Sequence, residues 1–218
     1  MIEYKYARER IVRGMRTEMK RELDHFYIGR SYGGNQDWFR TFMMRLGGCA
    51  AETACDSSLY FALRCGVQGI YPYDADHLTR SEYVDFAHRM KEYLWPRWTG
   101  VNKLSIFIEG YAKYLADSHV TGISMNAFDG EEPYVRAADT VIRQIDAGCP
   151  IPTLILNHKD KELKFYEWHW FLINGYDEQP DTVLVKAVTY SGYRWLDLRE
   201  LWDTGHTPKG GFVLFHRE

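Results

Sequence analysis

The chain has 218 residues, enough for one large domain or two lobes sharing a core, with 45% apolar and 16% aromatic residues to fill it. A formal charge of −3 and the lack of a long basic run argue against nucleic acid as the main partner. No stretch reaches the roughly 18 uninterrupted apolar residues of a membrane helix, and the charged first ten residues lack the apolar centre of a signal peptide, so the expected setting is the cytoplasm, off the membrane.

Residues 6–24 are rich in Arg, Lys and Glu, with Ile11, Met15, Met19 and Leu23 in a step of four, which predicts an amphipathic helix with a solvated face. A Gly-rich break follows, Ser31-Tyr32-Gly33-Gly34-Asn35-Gln36-Asp37-Trp38. Next comes Gly47-Gly48-Cys49-Ala50-Ala51-Glu52-Thr53-Ala54-Cys55 and an apolar run to Leu63 that stops at Gly66. This reads as a helix opening at Cys49. Its small side chains allow close approach by other elements, which predicts a central position. Further helices are expected from Leu78 to Leu94, stopped by Pro96, and over 104–117 and 131–147, the last ended by Gly148 and Pro150.

The character then changes. Ile151 to Leu156, Trp168 to Tyr176, Thr182 to Val188, Tyr193 to Leu196 and Gly211 to Phe215 are short aromatic or β-branched runs between polar turns. Residues 157–167 read as a charged, mobile hairpin loop. Helices first and strands second predict one α+β domain over 1–218, with a helical part over about 1–148 packed on an antiparallel sheet formed by about 149–218.

Cysteines occur at 49, 55, 65 and 149, with no two-plus-two zinc spacing, and a reducing compartment disfavours disulfides. Cys49 stands apart. A thiol does chemistry as thiolate, and a helix N-terminus stabilises that charge. Taken alone, Cys49 could be a small core residue, the usual fate of a free cysteine and the expectation for the other three. His169 opens a buried strand and must satisfy two ring nitrogens; alone it could be a core histidine. The other seven histidines read as surface residues. Strand alternation turns Trp168 and Trp170 to the face opposite His169, as core residues, and Trp98, Trp195 and Trp202 read as core or rim. His158, Glu167 and His169 match no compact metal motif, so neither a metal nor another cofactor is expected.

Together, Gly-Gly-Cys-Ala-Ala at a helix start and His169-Trp170-Phe171-Leu172-Ile173-Asn174-Gly175-Tyr176-Asp177 on a strand 120 residues later resemble the papain-like cysteine peptidases. The likeness is nearest to the bacteriocin-leader (double-glycine) peptidase group and its bacterial relatives. Ala147-Gly148-Cys149-Pro150-Ile151-Pro152 is similar to the stretch preceding the histidine strand in that group. The likeness spans roughly residues 33–216, but only the two short motifs are diagnostic. It implies a papain-like fold with the Cys49 helix at its centre, and Cys49 as nucleophile with His169 as base. It also implies a side-chain amide as oxyanion donor and an Asn or Asp orienting the imidazole.

The chain departs from that pattern twice. Met43 stands where the glutamine is expected, so Gln36, thirteen residues before Cys49, is the candidate donor; Asn35 and Gln36 read equally well as turn residues. Laying Thr182 to Val188 on the strand after the histidine puts Ala187 at the Asn or Asp position, leaving Thr189, two residues on, as a weaker orienter. Asn174 falls on the opposite face from His169. The expected function is a thiol hydrolase acting on a peptide or small amide through a thioester, or an acyl transferase sharing that first step. The alternative is a catalytically inactive relative that binds a peptide or small molecule in the same cleft.

Overall fold

The computed structural model describes residues 19–96 and 100–218. In chain order these form β1 (Lys20–Glu22), β2 (Tyr27–Ile28), β3 (Ser31–Tyr32), α1 (Phe42–Gly47), α2 (Cys49–Cys65), α3 (Arg80–Met90), α4 (Leu104–Asp117), β4 (Ile123–Asp129), α5 (Tyr134–Asp146), β5 (Ile151–Ile155), β6 (His169–Glu178), β7 (Val183–Thr189), β8 (Gly192–Asp197), α6 (Leu198–Trp202) and β9 (Gly210–Arg217). The architecture is α+β, with helices dominating the first half and a large antiparallel sheet the second. The sheet runs β4-β9-β5-β6-β7-β8, and β1 pairs with β6 beyond the stretch that β5 occupies. No helix among the described residues is long and apolar enough to cross a membrane.

The helix α2 lies at the centre, as its composition predicts. Residues 49 to 61 are all buried, and the helix packs against β6. Ala50, Ala51 and Ala54 permit that approach without side-chain entropy to lose. The Ser57 and Ser58 hydroxyls donate back to the Thr53 and Ala54 carbonyls at 2.8 and 2.9 Å, so these polar groups are satisfied inside the helix. Gly66, at φ 66°, supplies the left-handed residue that ends it.

The helix α4 then clamps the start of β6. Phe107 stacks on Trp170 with ring centroids 4.5 Å apart, and Tyr111 Oη meets Ser58 Oγ at 2.8 Å. On α5, the Gln144 amide brackets Phe215 of β9, donating to its carbonyl and accepting its N–H, both at 3.2 Å.

Several expectations need correction. Most of the helix expected over 6–24 lies outside the described residues, but its last part is the strand β1. Lys20 to Glu22 pair with Asp177 to Gly175, and Glu22 reaches Lys186 Nζ at 2.7 Å, so a sheet flank overrides the step-of-four pattern. The division near 148 is also crossed, because β4 lies within the helical half and pairs along β9. Residues 157–167 are no free hairpin. Lys161–Tyr166 is a 3-10 helix capped by Asp160, and the Glu167 carboxylate accepts the His158 N–H at 2.9 Å. His158 and His25 are both buried rather than superficial. Trp170 is in the core as expected, whereas Trp168 is 53% exposed, since a left-handed turn at φ 52° swings it outward before strand alternation begins. Trp202 packs on Phe212, Trp195 is half-buried under Lys20, and Trp98 lies outside the described residues.

The Phe107–Trp170 stack holds the strand entrance, and its loss is measurable. Phe107→Ala is expected to lower unfolding free energy by about 3–5 kcal/mol, and Phe107→Leu by clearly less, in urea titrations followed by tryptophan fluorescence.

Candidate active site

Cys49 is the first residue of α2, directly after the Gly48 cap. A Cβ at Gly48 would lie 2.3 Å from the Met44 carbonyl oxygen, so the tight junction between α1 and α2 excludes a side chain there. Three backbone N–H groups face the Cys49 sulfur: its own, that of Ala50, and that of Trp170 on β6. They favour the thiolate. Burial opposes them and dominates, and the neighbouring Glu52 charge adds to it, so the thiol is pushed up to about 11. The side chain is almost wholly enclosed.

The Trp170 contact brings the thiol beside the chain segment that carries His169. The imidazole Nε2 lies 2.8 Å from Thr189 Oγ1. When Nε2 carries the proton it donates to that hydroxyl, leaving Nδ1 as the basic nitrogen. The ring is stacked on Tyr190, centroids 5.2 Å apart and 15° from parallel, with Phe165 at 6.1 Å. This apolar enclosure pushes the imidazole down to about 4. Register explains Thr189: Ala187 pairs with Ile173, well inside the sheet, so it is not the position beside His169. Asn174 donates to Tyr32 Oη at 3.2 Å and takes no part in holding the ring.

Gln36 is buried in a 3-10 turn packed against the first turn of α2. Its Nε2 donates to the Arg45 carbonyl at 2.8 Å, and its Oε1 has no hydrogen-bond partner. Met43 sits half-buried on α1. The neighbouring Asn35 is a cap, accepting the Asp37 N–H at 2.8 Å and donating to Ser191 Oγ at 2.9 Å.

Two carboxyl groups below Cys49 escaped the sequence reading. Glu52 accepts the backbone N–H groups of Gln36, at 3.2 Å, and of Tyr190. Asp56, one turn further, accepts the Gly34 N–H at 3.1 Å and the Tyr83 hydroxyl at 2.7 Å, with His25 Nε2 at 3.9 Å. A Cβ at Gly34 would fall 1.8 Å from Tyr83 Oη, so only glycine fits over this pair. Burial, with Asp56 next, holds the Glu52 carboxyl well above the usual range. The signal in the sequence was two acids at i and i+4 in a helix whose first ten residues are otherwise Ala, Cys, Ser and Thr.

At neutral pH the thiol and imidazole are thus both uncharged. The unfolded chain protonates His169 near 6.5 and the fold only near 4, so this residue withdraws stability as pH falls between those values. The loss is at most about 3 kcal/mol. Urea titrations at pH 7 and pH 4.5 should show an acid loss smaller in His169→Gln than in the parent by about 2–3 kcal/mol. Equal losses would mean that the ring is not held neutral.

No family model, no curated protein and no solved structure matches this chain.

Proposed function

We propose that the protein is a thiol hydrolase of the papain-like type, cleaving a peptide or small amide bond through a thioester on Cys49. The observation that carries this reading is the meeting of α2 and β6. The thiol at the helix start faces the Trp170 N–H, next to a histidine whose Nε2 is fixed by Thr189.

In that reading the His169 Nδ1 takes the thiol proton as the sulfur attacks the carbonyl carbon. The oxyanion is met by the Cys49 N–H and by the second N–H of Gln36 Nε2, the first being held by Arg45. The carbon–nitrogen bond then breaks, the proton passes from His169 to the departing amine, and water activated by the same imidazole hydrolyses the thioester. Phe42 and Leu46 lie on the helix leading into Cys49, and Phe165 and Trp168 on the approach to His169. All four are more than half exposed and offer apolar contacts to a substrate side chain.

The enclosure of Cys49 and the neutral pair favour a second reading, a relative that binds a peptide or small molecule without turning it over. Acylation separates the two. With p-nitrophenyl acetate, the hydrolase reading expects an acetyl group on Cys49 by mass spectrometry, none in Cys49→Ala, and acylation slowed about 10²–10⁴-fold in His169→Ala. An unmodified Cys49 in the parent would favour the binding protein.

A further inference from the structure

Glu52 lies three residues after Cys49 on α2, so its carboxyl sits one turn below the thiol on the same side of the helix. It is 3% exposed, a position that a carboxyl group occupies only for a reason. Its two N–H donors come from different parts of the chain. One is Gln36, in the loop that carries the candidate oxyanion amide. The other is Tyr190, at the tip of the β7–β8 hairpin. That tip also carries Thr189, which holds His169 Nε2, and the Tyr190 ring stacked on the imidazole.

The hairpin tip needs such an anchor. Tyr190 and Ser191 both have left-handed backbones, at φ 47° and 66°, in a two-residue connection where glycine or asparagine would be at ease. For a residue as bulky as tyrosine this conformation persists only when its surroundings impose it. Ser191 is tied to the same loop as Gln36, donating its N–H to the Gly34 carbonyl at 2.9 Å and accepting the Tyr32 N–H at 3.2 Å. Glu52 extends that tie to the cysteine helix.

We propose that Glu52 is the positioning residue of the site. Its carboxyl fastens the Gln36 loop and the Tyr190 tip to α2, and so sets where Thr189 and Tyr190 hold the imidazole relative to Cys49. The proposal rests on the Cys49–His169 reading above, but its first test does not require turnover. A glutamine at this position keeps the volume and offers one acceptor oxygen in place of two, so the two N–H groups must share that oxygen or one of them loses its partner.

The experiment compares the parent with Glu52→Gln by hydrogen–deuterium exchange, in peptides covering residues 33–38 and 188–192, with α4 as the internal control. Exchange in the 188–192 peptide, the 33–38 peptide or both is expected to accelerate about ten-fold or more, with α4 unchanged. Should Glu52→Gln fail to fold, Glu52→Asp withdraws the carboxyl by one methylene, keeps its charge and is expected to show the same local acceleration. Unchanged exchange in both peptides of a folded variant would overturn the proposal.

Two further readouts move only if the carboxyl acts on the site. In iodoacetamide alkylation the Cys49 midpoint is expected to shift to lower pH in Glu52→Gln, because a negative charge beside the thiol is gone. Asp56 and Asp37, the Tyr83 and Tyr190 hydroxyls, and His25 against Asp56 are untouched by the substitution. In p-nitrophenyl acetate hydrolysis kcat is expected to fall about ten-fold with KM unchanged, whereas a rise in KM alone would count against positioning. If the parent is not acylated at Cys49, the hydrolase reading fails while the exchange result still decides the role of Glu52.

Discussion

Two carboxyl groups on a buried helix set the terms for this structure. Glu52 and Asp56 lie among Ala51, Ala54 and Cys55, where an ionised carboxylate without partners would cost several kcal/mol. Backbone N–H donors offset part of that cost, because Gly34, Gln36 and Tyr190 can bring their amides close and still leave α2 packed on β6. Gly34 is the tightest of these fits, since Tyr83 closes over Asp56 from the other side. Satisfying the carboxyls therefore docks the Gly33–Gln36 loop and the β7–β8 hairpin on the cysteine helix. The surroundings of Cys49 and His169 follow from that docking, not from any direct bond between the two.

Strain collects in the same place. Two aromatic residues with left-handed backbones flank His169: Trp168 before it in the chain and Tyr190 stacked on its ring. Each such conformation costs of order 1–3 kcal/mol, which must be offset by surrounding contacts. Trp168 is held by its N–H to the Leu156 carbonyl at 2.9 Å, and Tyr190 by Glu52. What the strain achieves is geometric. One turn carries the chain sharply into β6 so that His169 is the first residue of the strand, and the other turns a phenol ring onto the imidazole face.

The parts legible in the sequence were those fixed by local pattern. A helix beginning at Cys49 and ending at Gly66 follows from two glycines, a run of small residues and a left-handed stop, all within one segment. The β-rich second half follows from short aromatic or β-branched runs between polar turns. The parts that were not legible depend on distant partners. Lys20–Glu22 is a strand because β6 has an open flank and Lys186 waits for Glu22, neither visible from residues 6–24. His25 reads as polar surface until Asp56 and the ring of Tyr32 close on it. Thr189 was reachable as the residue two past Ala187 on the same strand face, yet the register that sets Ala187 opposite Ile173 needed the β6–β7 pairing. Tyr190 carried no signal of its own, since nothing local asks a tyrosine to adopt a positive φ.

The electrostatics of the pair constrain any chemistry it performs. A thiol at about 11 and an imidazole at about 4 differ by an amount worth about 9–10 kcal/mol in moving the proton from one to the other. Were the resulting charges about 4 Å apart, their attraction would recover about 4 kcal/mol at an effective dielectric near 20. A preformed thiolate–imidazolium pair thus lies several kcal/mol above the neutral one, and it is not the resting state. Thr189 is part of the cause, because a hydroxyl can orient the imidazole but has no charge with which to stabilise the imidazolium, as a carboxylate would. The three N–H groups facing the sulfur soften this penalty without reversing it. In the proposed hydrolase, proton transfer would therefore accompany the formation of the carbon–sulfur bond. Under that constraint such a reaction would depend on the placement of the ring more than on a stored thiolate charge.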